Sequence, residues 1–257
     1  MKRHDGRARD ELRPVSIECD PLSAPAGSAS IRCGDTWVLC SATVEERVPK
    51  WMEGRGRGWV TAEYAMLPAS TGSRSKREGW KGSWPRGRTQ EIGRLIGRAL
   101  RGATVLERLG ERAITVDCDV LQADGGTRTA SVTGGFVALA LALRRLQKEG
   151  KLPGPVFRDT VCAVSVGLLV DHGVVLDMPY EEDHRAEVDL NIVSTGTSQL
   201  VEVQATAEGQ PFSQELLGEM VTLGQLGNEQ LTVIQKQILE RHGVDLQKLI
   251  VKAESAQ

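Results

Sequence analysis

The sequence predicts an α+β fold built as a single domain, and three observations carry that expectation. Runs of alternating polar and apolar residues fall in clusters joined by short turns, the pattern of antiparallel hairpins. Helical apolar spacing appears in separate blocks and not between every pair of strands, which disfavours a doubly wound parallel sheet. The chain has 257 residues, 40% of them hydrophobic, enough to bury a sizeable core.

The elements follow in order. Residues 28–32 and 36–44 flank the turn Gly34-Asp35 and read as a hairpin, and residues 58–66 read as a further strand. Residues 69–88 are polar, basic and rich in Gly and Ser, so they read as a surface loop. After Arg88 an apolar stripe of Ile92, Leu95, Ile96, Ala99 and Leu100 marks a helix, with Glu91, Arg94, Arg98 and Arg101 on its other face. A strand at 113–121 leads through the turn 123–126 into a long helix at about 127–149. Its apolar surface, including Val132, Phe136, Val137, Leu139, Ala140 and Leu143, is broad enough to be well buried. Strands are expected at 161–170, 173–177, 187–194 and 199–206, and two helices at about 213–225 and 229–242. Residues 1–242 then form the domain, and 243–257 a helical or frayed tail.

Composition narrows the function classes. A formal net charge of −2 gives no bulk attraction to nucleic acid, so any RNA must meet a local basic patch. The five cysteines, Cys19, Cys33, Cys40, Cys118 and Cys162, are scattered without a CxxC pair, which suits a reducing cytoplasm and gives no zinc site. The charged start of the chain does not read as a signal peptide, and no run approaches the roughly 20 apolar residues of a membrane span. A membrane partner is therefore not expected.

The strongest local motif is Asp119-Val120-Leu121-Gln122-Ala123-Asp124-Gly125-Gly126-Thr127-Arg128-Thr129-Ala130. A strand runs into a glycine pair and then into a helix start, where free N–H groups and the helix dipole favour an anion. Thr127 or Thr129 adds a hydroxyl, and Arg128 a guanidinium that can grip two phosphate oxygens. An ordinary helix capped by Thr is the other reading of the same residues. A Walker A loop is excluded, since no Gly-Lys-Ser/Thr follows.

The segment 74–101 holds nine Lys or Arg residues (Arg74, Lys76, Arg77, Lys81, Arg86, Arg88, Arg94, Arg98 and Arg101) against Glu78 and Glu91. That asymmetry suits an RNA backbone, with Trp80 and Trp84 placed to stack on bases. A solvated helix face or an oligomer contact would look the same for Arg94, Arg98 and Arg101. Arg88, at the helix start, is better placed to face an anion. Arg55 and Arg57 form a smaller basic loop in Gly-Arg-Gly-Arg-Gly.

Residues 177–191 are rich in carboxylates. On a strand at 187–192, Glu187, Asp189 and Asn191 share one face, and Asp183 on the preceding turn can converge with Asp189. Two carboxylates and little else suit Mg²⁺, which keeps several waters and completes its shell on substrate phosphates; an acidic hairpin turn is the alternative. Asp117 and Asp119 are weaker metal candidates. His4, His172, His184 and His242 stand in no triad-like context, so covalent catalysis by a side chain lacks support.

These stretches, with Arg13-Pro14-Val15, Gly58-Trp59-Val60-Thr61-Ala62-Glu63-Tyr64, Gly87-Arg88-Thr89-Gln90-Glu91-Ile92, Val188-Asp189-Leu190-Asn191 and Glu202-Val203-Gln204, resemble the bacterial ribonuclease PH family over nearly the full length. The resemblance implies a domain like that of ribosomal protein S5, assembled as a homo-hexameric ring of three dimers. It implies phosphorolytic trimming of RNA from the 3′ end, with precursor-tRNA tails beyond CCA as substrate, inorganic phosphate as co-substrate and Mg²⁺ or Mn²⁺ as cofactor. It implies a phosphate site at Arg88, Gly126, Thr127 and Arg128 and catalytic, metal-holding Asp183 and Asp189, with both arginines also catalytic. Arg74, Lys76 and Arg77 look like its RNA-contacting loop. The sequence departs from the family at Trp84-Pro85-Arg86 and at His184-Arg185. A catalytically silent ring subunit that only binds RNA is the rival reading, and a small-molecule phosphotransferase a third.

Overall fold

A computed structural model describes residues 3–78 and 87–252; Trp80, Lys81, Trp84 and Arg86 lie outside the described residues. The α+β expectation holds, with two sheets and five α-helices among the described residues. The first sheet contains β1 (Val15–Cys19), β2 (Gly27–Cys33), β3 (Thr36–Glu45), β4 (Trp59–Met66) and β5 (Ala113–Gln122), in the order β1-β2-β3-β5-β4. Within it the β4–β5 pair is parallel, and α1 (Gly87–Ala103) supplies the crossover between these two strands. The second sheet contains β6 (Val161–Leu169), β7 (Gly173–Leu176), β8 (Val188–Thr195) and β9 (Leu200–Ala207), in the order β7-β6-β8-β9, all antiparallel.

Strand β1 is absent from the sequence reading. Only five residues long, it buries just Ile17 and Cys19, too little alternation to stand out. It pairs antiparallel with β2, Val15 facing Cys33.

Helix α2 (Thr127–Lys148) is the central element, packed against β2 and β3 of one sheet and β6 of the other. Among the described residues it is also the one helix long and apolar enough to cross a membrane by length and composition. This corrects the expectation that no run approaches a membrane span; Gly and Thr dilute the apolar run in the sequence. Its apolar stretch is 89% buried inside the protein, where both sheets use it as core.

A second correction concerns the C-terminal helices. In place of two there is one, α4 (Gln214–Arg241), lying on β6 and β8. Gly227 falls in the expected gap at 226–228 and Gly224 within the first expected helix; both are points of close approach, a Cβ falling 2.4 Å from Ile192 Cγ2 at Gly224 and 2.8 Å from Leu176 Cδ1 at Gly227. Two short helices complete the set, α3 (Tyr180–Asp183) and α5 (Leu246–Leu249). Beyond α4, Val244 and Leu249 are buried, and Leu249 O accepts from the backbone N–H of Val156 and Phe157 at 2.8 Å.

Candidate active site

The site grows from the end of β5. Gly125 and Gly126 both take left-handed backbone angles, φ 70° and 66°, so the chain turns sharply before α2 begins at Thr127. A Cβ on Gly125 would lie 2.5 Å from Met178 O, so only glycine lets the turn seat against the segment leading to α3. Gly126 is the N-cap, and among the described residues no side chain caps the helix. Thr129 Oγ1 donates back to Gly126 O at 2.9 Å, and Thr127 Oγ1 lies 2.9 Å from Tyr64 Oη. Both hydroxyls are thus occupied away from the cap position. Among the described residues the first N–H groups of α2 have no side-chain acceptor, which favours an anion site over the capped-helix reading.

Two arginines flank this helix start. Arg88 is exposed in the first turn of α1. Arg128 is held by a small relay: it donates to Gln204 Oε1 at 2.9 Å, Gln204 Nε2 donates to Glu91 Oε1 at 2.9 Å, and Glu91 Oε1 lies 3.7 Å from Arg128 Nη1.

Asp183 ends α3, and Asp189 is the second residue of β8, opposite Gly167 and Thr206. Burial, and next the charge of Asp183, push the Asp189 carboxyl up to about 6; Arg128 and Arg88 pull the other way. Burial also raises Asp183, again against Arg88 and Arg128, with smaller pulls from Arg13 and His184. Both arginines therefore act on both aspartates, which brings the phosphate motif and the acidic motif into one site. Asp189 Oδ1 is buried and has no partner among the described residues, while Oδ2 meets only a long contact from Asn191 Nδ2 at 3.4 Å. A desolvated carboxylate with an unused oxygen beside a second carboxylate is an arrangement that a divalent cation relieves. No group of three or more His, Cys, Asp or Glu gathers to hold a metal among the described residues, so the protein's share of such a site is this pair.

The basic residues divide. Arg74, Lys76 and Arg77 are exposed in the loop after β4, at the same sheet end as the glycine turn, where Ser70 O accepts from Ala123 N at 2.8 Å. Burial raises the carboxyl of Asp119, and Arg77 is near enough to pull against that rise. Arg55 and Arg57 precede β4 and sit at the opposite end: Trp59 pairs with Ala113, Gly56 N donates to Glu111 Oε1 at 3.1 Å, and Arg57 lies 3.9 Å from Glu107. They do not join the site. Arg98 forks onto Glu202, and Arg101 bonds Val60 O and covers the ring of Trp59, which favours the structural reading of both. Asp117 is half-buried and pairs with Glu63, and Asp119 is exposed and pairs with Ala65; neither is among the groups whose charge acts on Asp183 or Asp189. No local pattern in the sequence marks the residues beneath the turn, Arg3, Arg13 and Asp177. The run Arg13-Pro14-Val15 was part of the family likeness, but no local pattern marks its role.

Residues 11–144 match the sequence model of the 3′ exoribonuclease family, domain 1, and residues 159–227 that of domain 2. The chain belongs to the 3′ exoribonuclease family. It is 51% identical over 237 residues to the ribonuclease PH of Bacillus subtilis (strain 168), covering 92% of this chain and 96% of that one. To the ribonuclease PH of Moorella thermoacetica it is 55% identical over 239 residues, covering 93% and 95%. Solved structures share the family fold at low identity. Rice (Oryza sativa) Rrp46 superposes with a TM-score of 0.74 at 19% identity, over 92% of this chain and all of that one. An Archaeoglobus fulgidus exosome with RNA bound to the active site gives 0.71 at 22%, over 94% and 92%.

Proposed function

We propose that this protein is a phosphate-dependent 3′-to-5′ exoribonuclease that shortens RNA by phosphorolysis and releases nucleoside diphosphates. The observation that carries the reading is the convergence of Arg88 and Arg128 on Asp183 and Asp189 beside an uncapped helix start. Backbone N–H groups at Gly126 and Thr127, with the two guanidiniums, hold hydrogen phosphate as the nucleophile. A phosphate oxygen bonds to the phosphorus of the last phosphodiester, the P–O3′ bond breaks, and the proton of hydrogen phosphate ends on the released 3′ oxygen. One phosphoester bond replaces another, so the reverse extension from nucleoside diphosphates runs on the same residues. The nucleophile arrives as an anion, and the work of the side chains is positioning and charge stabilisation. Asp183 and Asp189 are the residues that would hold Mg²⁺ or Mn²⁺, which when bound supplies positive charge against the phosphoryl oxygens.

Arg74, Lys76 and Arg77 guide the RNA strand to this site. The substrate is the 3′ tail of precursor tRNA beyond CCA, the working assembly is a homo-hexamer of three dimers, and the compartment is the cytoplasm. Arg55 and Arg57, at the far sheet end, reach only RNA well upstream of the 3′ end. A silent RNA-binding subunit fits less well, because both arginines and both aspartates are present. The deciding experiment incubates a 3′-extended RNA with and without phosphate and Mg²⁺ and identifies the nucleotide released. Nucleoside diphosphate that forms only with phosphate is expected; monophosphate released without phosphate would overturn the proposal.

A further inference from the structure

Three arginines of the N-terminal arm, Arg3, Arg7 and Arg13, are buried, although residues 3–13 contain no helix or strand. Charged side chains are rarely buried without fixed partners. Their partners lie largely in the two segments that build the site. Arg13 Nε and Nη2 fork onto the carboxylate of Asp177 at 3.1 and 2.7 Å, and Arg13 N donates to Asp177 Oδ2 at 2.8 Å. The same guanidinium reaches the glycine turn: Nη1 donates to Asp124 O at 2.5 Å, and Nη2 lies 3.5 Å from Gly125 O. Arg3 forks onto Glu182, next to Asp183, and donates to Leu176 O at 2.6 Å and Asp177 O at 3.1 Å. Arg7 donates to Asp177 O at 3.0 Å. Asp177 itself holds a left-handed backbone, φ 54°, a conformation that needs support from its surroundings.

We infer that this arm is a positioning element for catalysis, in which Arg13 aims the phosphate-binding N–H groups and Arg3 sets the segment bearing Asp183. For Arg13 the reason is geometric. In a trans peptide the N–H points opposite to the preceding C=O. Arg13 draws the carbonyls of Asp124 and Gly125 inward, so the N–H of Gly126, which opens the phosphate-binding pair, faces away from the arm together with that of Gly125. Thr36 holds the same turn, accepting from Asp124 N at 2.9 Å and donating to Gly125 O at 2.6 Å. A cation on those carbonyls also polarises the peptide units, which strengthens their N–H donors. Both are positioning residues in this inference, Arg13 through the turn carbonyls it holds and Arg3 through the Glu182 carboxylate and the backbone at 176–177. The inference rests on the phosphorolysis reading.

The test compares Arg13→Lys, Thr36→Val and Arg3→Lys with the unaltered full chain. Lysine keeps the charge and loses the fork. Phosphorolysis is measured at saturating RNA with phosphate varied, then at saturating phosphate with RNA varied, and phosphate binding is followed separately by calorimetry. Arg13→Lys should raise KM and Kd for phosphate about 10-fold or more while KM for RNA changes less than about 2-fold, the loss expected for a misaimed charge-assisted site. Thr36→Val, which removes one hydroxyl and no charge, should act in the same direction by about 3-fold. Arg3→Lys should leave phosphate affinity in place, lower kcat and raise the Mg²⁺ concentration required. Leu109→Ala, a buried core change among residues 106–109, controls for lost stability and should leave both KM values alone. A folded Arg13→Lys with unchanged phosphate KM would overturn the inference, as would equal shifts in both KM values. If Arg13→Lys does not fold, an unchanged phosphate KM in Thr36→Val overturns it. Phosphate-independent activity in the unaltered protein would instead sink the reading beneath it, and is recognised before any variant is made.

Discussion

Asp183 stands beside Asp189 and, after burial itself, is the larger of the influences that push the Asp189 carboxyl up to about 6. The folded protein therefore disfavours the ionised form of Asp189 more than the unfolded chain does. Stability falls as pH rises from the ordinary 3.8 through about 6, and the cost stays in place above that. It amounts to at most ~3 kcal/mol, less with partial solvent screening. Asp189→Asn should thus raise Tm at pH 8 in chelator, lose the advantage near pH 4, and abolish turnover. A lower Tm for the variant at pH 8 would show that the carboxylate is not under electrostatic strain.

Arg128 is presented by the Gln204–Glu91 relay to the start of its own helix. Removing one preorganised donor to developing phosphoryl charge costs about 10²–10³ in rate. Arg128→Ala should show a loss of at least that size in kcat, with RNA affinity measured by fluorescence anisotropy unchanged within about 2-fold. Gln204→Ala leaves the guanidinium present but less directed, so a loss of about 10-fold is expected. Equal losses of RNA binding and turnover in a folded Arg128→Ala protein would count against its assignment to phosphate.

Much of this architecture is legible in the chain because short-range rules govern it. The hairpin around Gly34-Asp35, the strand-glycine-helix run at 119–130, and the alternation that places Asp189 on a strand are local patterns. What stayed hidden depends on long-range partners. Arg13 meets Asp177 across 164 residues, and Arg3 meets Glu182 across 179, so no window of sequence contains either pair. The continuity of α4 was hidden for the same reason. The expected gap at 226–228 contains Gly227, and only the Leu176 side chain packed against it shows why glycine stands there inside a continuous helix. The basic loops show a third limit. Composition flags Arg55 and Arg77 alike, and only the parallel register of β4 with β5 separates them to opposite sheet ends.

Those α4 glycines give a stability prediction. Alanine at Gly224 gains up to about 1 kcal/mol of helix propensity. Its methyl would sit 2.4 Å from Ile192 Cγ2, three residues from Asp189 on β8, so helix or strand must shift. Overpacking of this kind costs roughly 1–3 kcal/mol, and a β-branched residue costs more. Gly224→Val should therefore lower Tm by several degrees, while Gly218→Ala, which meets nothing within 4 Å, should leave it unchanged or slightly raised. Equal Tm values for the two variants would contradict the close packing of α4 on the sheet.

The two basic loops can be told apart by length of RNA and by salt. Strand β5 has ten residues, so the Arg55–Arg57 loop lies about 30 Å along the sheet from the glycine turn. That distance exceeds the roughly 8 Å screening length at physiological ionic strength, which prevents these arginines from acting on the 3′ end through space. Arg74, Lys76 and Arg77 sit at the turn's own end, where the proposed path would bring the last nucleotides. For a single strand, each phosphate that the protein no longer neutralises flattens the plot of log affinity against log salt by about 0.7. Replacing Arg74, Lys76 and Arg77 by alanine should flatten that plot by about 2 for a short single-stranded oligonucleotide, measured by anisotropy. Arg55→Ala with Arg57→Ala should leave the short oligonucleotide untouched and weaken only RNAs long enough to extend past the sheet, such as a 3′-extended tRNA. Loss of short-oligonucleotide affinity in the Arg55 and Arg57 variant would show that the strand follows a different path from the one this register allows.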